Sequence, residues 1–251
     1  MPIHITGTGS FIPENKVDNN SFLNKEFFDK DGDPYPNSNE EIIEKFEAIT
    51  GIKERRHQKE GASSDMAQMA VDGLLKKLDI DPLDIDLVVV ATVTPDYPFP
   101  STANVLCDKS GMKNAWGFDL KAACSGFIYA LATGAQFIES GKHKKVVVVG
   151  VDKMTSIIDF EDRTTCIIFG DGAGAVLLEP DEEGLGLQDF ILRSDGSGRE
   201  YLVQPGGGSL HPPTHETIDN RMHYVKQEGK QVFKFAVTNM ADVSAEIMEK
   251  N

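Results

Sequence analysis

The run Ala122-Ala123-Cys124-Ser125-Gly126 holds the residue of this sequence best suited to covalent chemistry. Periodicity places Cys124 where a strand over residues 115–120 turns into a helix, which carries Phe127, Ala130, Leu131, Gly134, Ala135 and Ile138 at helical spacing up to Gly141. A cysteine at the first turn of a helix feels the positive end of the dipole and nearby unpaired N–H groups, which favour thiolate and hold a developing oxyanion. Its neighbours are small, so a carbonyl substrate can reach the sulfur and the backbone can turn sharply. The same position also admits an inert buried thiol, the common fate of free cysteine, and both readings stand on these residues alone. Cys107 and Cys166, expected mid-helix and mid-strand, take the inert reading. The three cysteines form no CxxC pair and are expected as thiols, not as a disulfide framework.

A cysteine nucleophile works with a base or an ion-pair partner, and the histidines are His4, His57, His143, His211, His215 and His223. None has a context that marks it. His57 lies in a basic run and His143 in a KHKK turn. His211 and His215 flank Pro212 and Pro213, which forbid the helical face a metal pair four residues apart requires. An exposed loop without metal is expected there. Asp159, Glu161 and Asp162 lie close together in an expected loop and read as hydrated carboxylates. GDGAGA over 170–175 fits the dinucleotide fingerprint by letter, yet it leads into VLLEP, a strand stopped by Pro180, where the fingerprint needs a helix. A tight bend between close backbones is the expected meaning. Lys53, Arg55, Arg56 and Lys59 against Glu54 form a basic island, suited to phosphates or an acidic partner, or simply a solvated turn.

The elements that must position these residues alternate along the chain. DLVVVATVT over 86–94 and KVVVVGV over 145–151 are apolar, β-branched runs of the kind buried on both faces. Between and before them, a helix over 64–78 spaces Met66, Met69, Ala70 and Leu74 on one face, and a helix over 101–110 stops at Gly111. The alternation predicts an α/β chain with a mainly parallel sheet. Farther on, CIIF, GDGAGA and VLLEP read as two strands around a glycine bend, with another strand over 187–192. Residues 194–221, rich in Gly, Pro and His, read as a long surface excursion. The final helix, over 232–251, aligns Phe233, Val237, Met240, Ser244 and Ile247 in a stripe that needs a covering layer.

The length of 251 residues allows one large domain or two modest ones. With 25 Lys and Arg against 40 Asp and Glu, a net charge of −15 argues against general nucleic-acid binding, which needs a basic surplus. No stretch approaches the ~18 apolar residues of a membrane span, and MPIHITGTGSFIP shows no targeting pattern. A cytoplasmic protein, with neither nucleic acid nor membrane among its partners, is the expectation.

Taken in order, GTGSFIPENKV, TGIKERR, the PFPS that contains Phe99, DLKAACSGF, DRTTCIIFGDGAGAVLLEP and GKQVFKFAV resemble the motifs of β-ketoacyl-acyl-carrier-protein synthase III. The likeness covers essentially the whole chain. It implies a thiolase-like, layered α/β/α fold with mainly parallel or mixed sheets. The first half would lie over 1–180 and the opening of a second over 181–251. The implied activity is a ping-pong Claisen condensation of fatty acid biosynthesis. Cys124 takes an acyl group from an acyl-CoA primer, and malonyl-acyl carrier protein then loses carbon dioxide and attacks the thioester. The Cys124 backbone N–H would contribute to the oxyanion hole. Phe99 matches the position that lines the acyl pocket across a dimer interface, and Arg163 the arginine near the CoA nucleotide. Phe233 and Lys234 match the segment beside the pantetheine tunnel and the carrier-docking face. A homodimer is implied, with acyl-CoA as substrate and no cofactor.

The sequence departs from that pattern in three respects. The family's catalytic His in HQAN and Asn in GNTS do not occur in these residues, so a carboxyl-terminal portion is expected to be missing and the chain not to complete condensation alone. Lys45 and Ile49 stand where well-known members carry the tryptophan that stacks on CoA adenine and a nearby arginine, which leaves the donor open between CoA and a carrier protein. The insertion FFDKDGDPYPNSN, together with Gln227 in place of an apolar pocket residue, points to an altered primer preference. Two further readings stand beside the main one: a related condensing enzyme of secondary lipid or polyketide synthesis, and a non-catalytic thiolase-like partner subunit.

Overall fold

The structure, a computed structural model, describes residues 3–28, 33–181, 183–184 and 186–251. The elements in chain order are β1 (Ile3–Phe11), β2 (Lys16–Asp18), α1 (Asn39–Thr50), β3 (Glu54–Arg56), α2 (Ser63–Leu78), β4 (Leu87–Ala91), α3 (Thr102–Lys109) and β5 (Trp116–Leu120). They continue with α4 (Gly126–Glu139), β6 (Val146–Lys153), α5 (Arg163–Cys166), β7 (Asp171–Pro180), β8 (Leu202–Val203), α6 (His215–Asp219), β9 (Lys226–Gln227) and α7 (Gly229–Lys250). Two compact units result. The first comprises Met1–Glu14, Gln58–Lys153 and Asp171–Leu192, and the second Asn15–His57, Met154–Gly170 and Arg193–Asn251.

In the first unit the β-branched runs become central strands, in the order β1-β7-β6-β4-β5. Side chains alternate as a two-residue period demands. Val88 and Val90 pack with Met66, Ala70, Leu74 and Leu106 of α2 and α3. Leu87, Val89 and Ala91 pack with Ala130, Ala135 and Ile138 of α4. The outcome is the expected three-layered α/β/α arrangement. β4 is parallel to β5 and β6, because α3 and α4 supply the crossovers that parallel neighbours need. β7 runs antiparallel to both β6 and β1, since the segment between β6 and β7 offers only the four-residue α5. The sheet is therefore mixed. β1 passes so close to α2 that a Cβ on Gly9 would lie 2.2 Å from the Ala70 carbonyl oxygen and 2.9 Å from Leu74 Cβ.

Three sequence expectations change here. GDGAGA is no bend: β7 runs unbroken through it, with Gly174 registered against Ser10 on one side and Gly150 on the other. Pairing on both edges overrides the weak intrinsic strand preference of glycine. CIIF is not a strand, because Asp162 accepts from the Thr164 N–H at 2.8 Å and starts α5 instead. Residues 187–192 form no strand either; the Leu187 N–H donates to the Ile3 carbonyl at 2.7 Å and the segment otherwise runs irregularly beside edge strand β1.

The second unit has its own core, in which Phe22, Phe27, Ile42, Phe46, Ile158 and Ile167 meet. Arg55 is buried among them. It donates to the Val17 carbonyl at 3.2 Å, Asn19 Oδ1 at 2.8 Å and the Ile167 carbonyl at 2.6 Å, and lies over the Phe22 ring. Burial pulls its pKa down from the ordinary arginine value. This cation is an internal strut, and Arg56 pairs with Glu54, so the basic island does not present itself whole to a phosphate. None of the residues of α7 is buried, and Phe233, Val237 and Met240 of the expected stripe are exposed. Among the described residues no helix is long and apolar enough to cross a membrane.

Candidate active site

β5 ends at Leu120, Ala123–Ser125 form a single 3-10 turn, and α4 starts at Gly126. Cys124 thus sits at the strand-to-helix turn its sequence predicts. Its thiol is exposed, whereas Cys107 and Cys166 are buried. Ala123 holds a left-handed φ of 46°, a conformation costing about 1–2 kcal/mol for an L-residue and one that concentrates at functional turns. The Ser125 N–H donates to the Ala122 carbonyl at 3.1 Å and closes the turn. The start of α4 has no side-chain cap. The Gly126 N–H that opens α4 donates to the Ala123 carbonyl, so the backbone donor nearest the sulfur for a substrate oxygen is the N–H of Cys124 itself. Because α4 packs on β4 and β6, the turn rests on the rigid part of the unit.

The other two thiols are chemically silent. Burial pushes Cys107 up to about 11. Burial, with Asp162 adding to it, pushes Cys166 up to about 12. Cys166 closes the short helix α5 and is not mid-strand as expected. Iodoacetamide at pH 8, followed by peptide mapping, is expected to alkylate Cys124 alone in the native protein, since the thiolate is the reactive form. Comparable native-state labelling of Cys166 would contradict the burial described here.

The remaining expected site residues divide between the units. Phe99 lies in the first, between β4 and α3, and is 86% exposed. Phe233 and Lys234 are exposed near the start of α7 in the second. Arg163 opens α5, also in the second. Its guanidinium lies 3.9 Å from the Tyr35 ring centre and its Nη2 donates to the Tyr35 hydroxyl at 2.7 Å. As a sequence, FFDKDGDPYPNSN reads as one insertion and does not single out Tyr35; the flanking prolines, Pro34 and Pro36, are the one local sign of a fixed aromatic. Residues 29–32 of that insertion lie outside the described residues.

Asp159 overturns its reading as a hydrated carboxylate. It is 4% exposed and accepts from Arg221 Nε at 2.8 Å and Nη2 at 2.5 Å. Burial works to raise its pKa, but the Arg221 hydrogen bonds, the Glu161 N–H and the charges of Arg221 and Lys226 win and hold it below the usual carboxylate range. Nothing in the local sequence announced Arg221, 62 positions away. Three of the histidines have ring or hydrogen-bond partners: His57 meets the Phe160 ring edge-on, His143 Nε2 accepts from Trp116 Nε1 at 3.1 Å, and His223 lies against Tyr224. Among the described residues no group of His, Cys, Asp and Glu is arranged to hold a metal.

The family described as 3-oxoacyl-[acyl-carrier-protein (ACP)] synthase III matches residues 118–196, which include Cys124 and Arg163. Beta-ketoacyl-[acyl-carrier-protein] synthase III 2 of Bacteroides thetaiotaomicron is 51% identical over 249 residues, 98% of this chain and 70% of that protein. Its counterpart in Chlorobaculum tepidum is 52% identical over 255 residues, 100% of this chain and 74% of that protein. Among solved structures, 3-oxoacyl-[acyl-carrier-protein] synthase III from Aquifex aeolicus VF5 superposes with a TM-score of 0.81 at 36% identity, covering 99% of this chain and 71% of that one. The Pseudomonas aeruginosa PAO1 enzyme gives 0.84 at 30% identity, over 100% and 72%. The chain spans about seven-tenths of the length of each of these proteins.

Proposed function

This chain belongs to the β-ketoacyl-[acyl-carrier-protein] synthase III family, condensing acyltransferases of fatty acid biosynthesis with a thiolase-like fold, and on that premise we propose that Cys124 carries the acyl group between the two half-reactions. In the first, the sulfur attacks the thioester carbonyl of an acyl-CoA, the Cys124 backbone N–H contributes a hydrogen bond to the oxyanion, and the CoA thiolate departs and takes a proton. In the second, malonyl-acyl carrier protein loses carbon dioxide. The resulting carbanion attacks the acyl-Cys124 carbonyl, forms the new carbon–carbon bond, and returns the cysteine. What carries this reading is the exposed thiol at an uncapped helix start, flanked by small residues.

The remaining roles follow as parts of the same proposal. Arg163 holds the position of the arginine near the CoA nucleotide, and Phe233 and Lys234 serve the pantetheine arm and the docked carrier protein, for which the exposed start of α7 is suited. Phe99 lines the acyl pocket of a second copy in a homodimer. Its exposure, and the free edge of β5 in the five-stranded sheet, favour such an assembly. Residues 1–180 act as the first thiolase-like half, in keeping with a sheet whose last strand ends at Pro180. The reaction needs no cofactor beyond its substrates, and the protein works in the cytoplasm.

Intact-mass measurement after incubation with acetyl-CoA and longer or branched acyl-CoAs tests the first half-reaction. A gain of one acyl group, released by hydroxylamine, is expected with at least one primer. An unmodified mass with every CoA donor and with acyl carrier protein thioesters would end the proposal.

A further inference from the structure

We infer that Tyr35 sets the donor preference of this chain by screening Arg163 from the cavity of the second unit, so that a nucleotide-bearing donor gains little over one without a nucleotide. The inference rests on the reading of Arg163 given above. Tyr35 lines a cavity of about 850 Å³, and Arg163 does not. The Tyr35 ring lies against the guanidinium face at 3.9 Å, and its hydroxyl takes one Arg163 N–H at 2.7 Å. Arg163 Nε is buried with no hydrogen-bond partner, a donor that is costly to leave unserved.

The cavity behind which Arg163 lies is poorly suited to a nucleotide as it stands. Among the described residues its walls carry five carboxylates against Arg221 and Lys226, and Arg221 is already paired with Asp159. A purine with its phosphates calls for a stacking plane together with positive charge, which a guanidinium supplies in one group. To reach that group on its covered face a nucleotide must displace Tyr35. The ring is not loosely placed. The Tyr35 N–H donates to the Phe27 carbonyl at 3.0 Å, the Phe28 N–H donates to the Glu161 carbonyl at 3.1 Å, and Phe28 bridges to Pro34. The nucleotide therefore works against anchored contacts, while a donor that ends at pantetheine never meets them.

Calorimetric titration of CoA and of pantetheine into the wild type, Tyr35→Phe, Tyr35→Ala and Tyr35→Ala/Arg163→Ala tests this. Removing the ring is expected to tighten CoA binding about tenfold and removing only the hydroxyl about threefold, with pantetheine shifted less than about twofold. The double variant should lose the gain. Tyr35→Phe retains the ring and its packing, so it reports even where Tyr35→Ala folds poorly. CoA binding that is unchanged, weakened or undetectable in both single variants overturns the inference, as does an equal shift for pantetheine. The acyl adduct on Cys124, measured on the same proteins, separates the two ideas: its absence would end the proposed function, and its presence with an unmoved ratio of CoA to pantetheine affinity would end only the role of Tyr35.

Discussion

Cys124→Ala is expected to reduce condensation of an acyl-CoA with malonyl-acyl carrier protein by a factor on the order of 10⁴ or more, the scale of removing a covalent nucleophile, and to abolish the acyl adduct. The two other cysteines cannot stand in. Both are buried, with thiols held at about 11 for Cys107 and about 12 for Cys166, so almost none of either is thiolate at neutral pH. Alanine fits the exposed turn already formed by Ala122 and Ala123, and the thermal midpoint should move by no more than about 1–2 °C, as for surface changes generally. Product formation, intact mass and a melting curve on one preparation decide the matter. A variant that keeps a tenth of the wild-type rate would show that the acyl group does not travel through this sulfur.

A large loss of stability is expected for Gly9→Ala. An added Cβ would meet the Ala70 carbonyl oxygen at 2.2 Å and Leu74 Cβ at 2.9 Å, and both obstacles belong to the fully buried side of α2. No rotamer relieves a clash with backbone, so β1 must move off the helix or the helix off the sheet. Overpacking of this kind costs about 3 kcal/mol, which corresponds to roughly 6–12 °C in melting temperature for a chain of this size. Gly73→Ala serves as the control. Gly73 lies in the same helix with nothing within 4 Å of the added Cβ, and alanine there should stabilise by about 0.5–1 kcal/mol. If the two variants melt together, the close approach of β1 to α2 is not what requires glycine at position 9.

The sequence was most legible where one physical signal acted alone. The β-branched runs of β4 and β6, the periodic apolar faces of α2 and α4 except for Met69, which is exposed, and the left-handed glycines after α3 and α4, Gly111 and Gly141, are each readable from composition and spacing. So is the turn that presents Cys124, because β5 and α4 border it directly. Local pattern failed where tertiary pairing decided the outcome. The glycines of β7 form a central strand only because β1 and β6 pair with it on both sides. Asp159 is an interior ion-pair residue only because a residue far along the chain reaches it. Arg55 reads as surface charge, and nothing within its own run says that oxygens from two other segments, Val17 and Asn19 in one and Ile167 in the other, converge on it. Tyr35 could be found only with its partner, since a tyrosine between prolines is unremarkable until a guanidinium lies against its face.

Trp116 also makes the chain its own optical probe. It is the single tryptophan, it stands at the start of edge strand β5 with its side half open to water, and its indole N–H is engaged by His143. Emission from an indole shifts to shorter wavelength as water leaves it, and every photon of tryptophan fluorescence from this protein originates at that edge. Anything that pairs along β5, a second copy included, therefore announces itself as a blue shift without any label, and dilution of the assembly should return the spectrum to red.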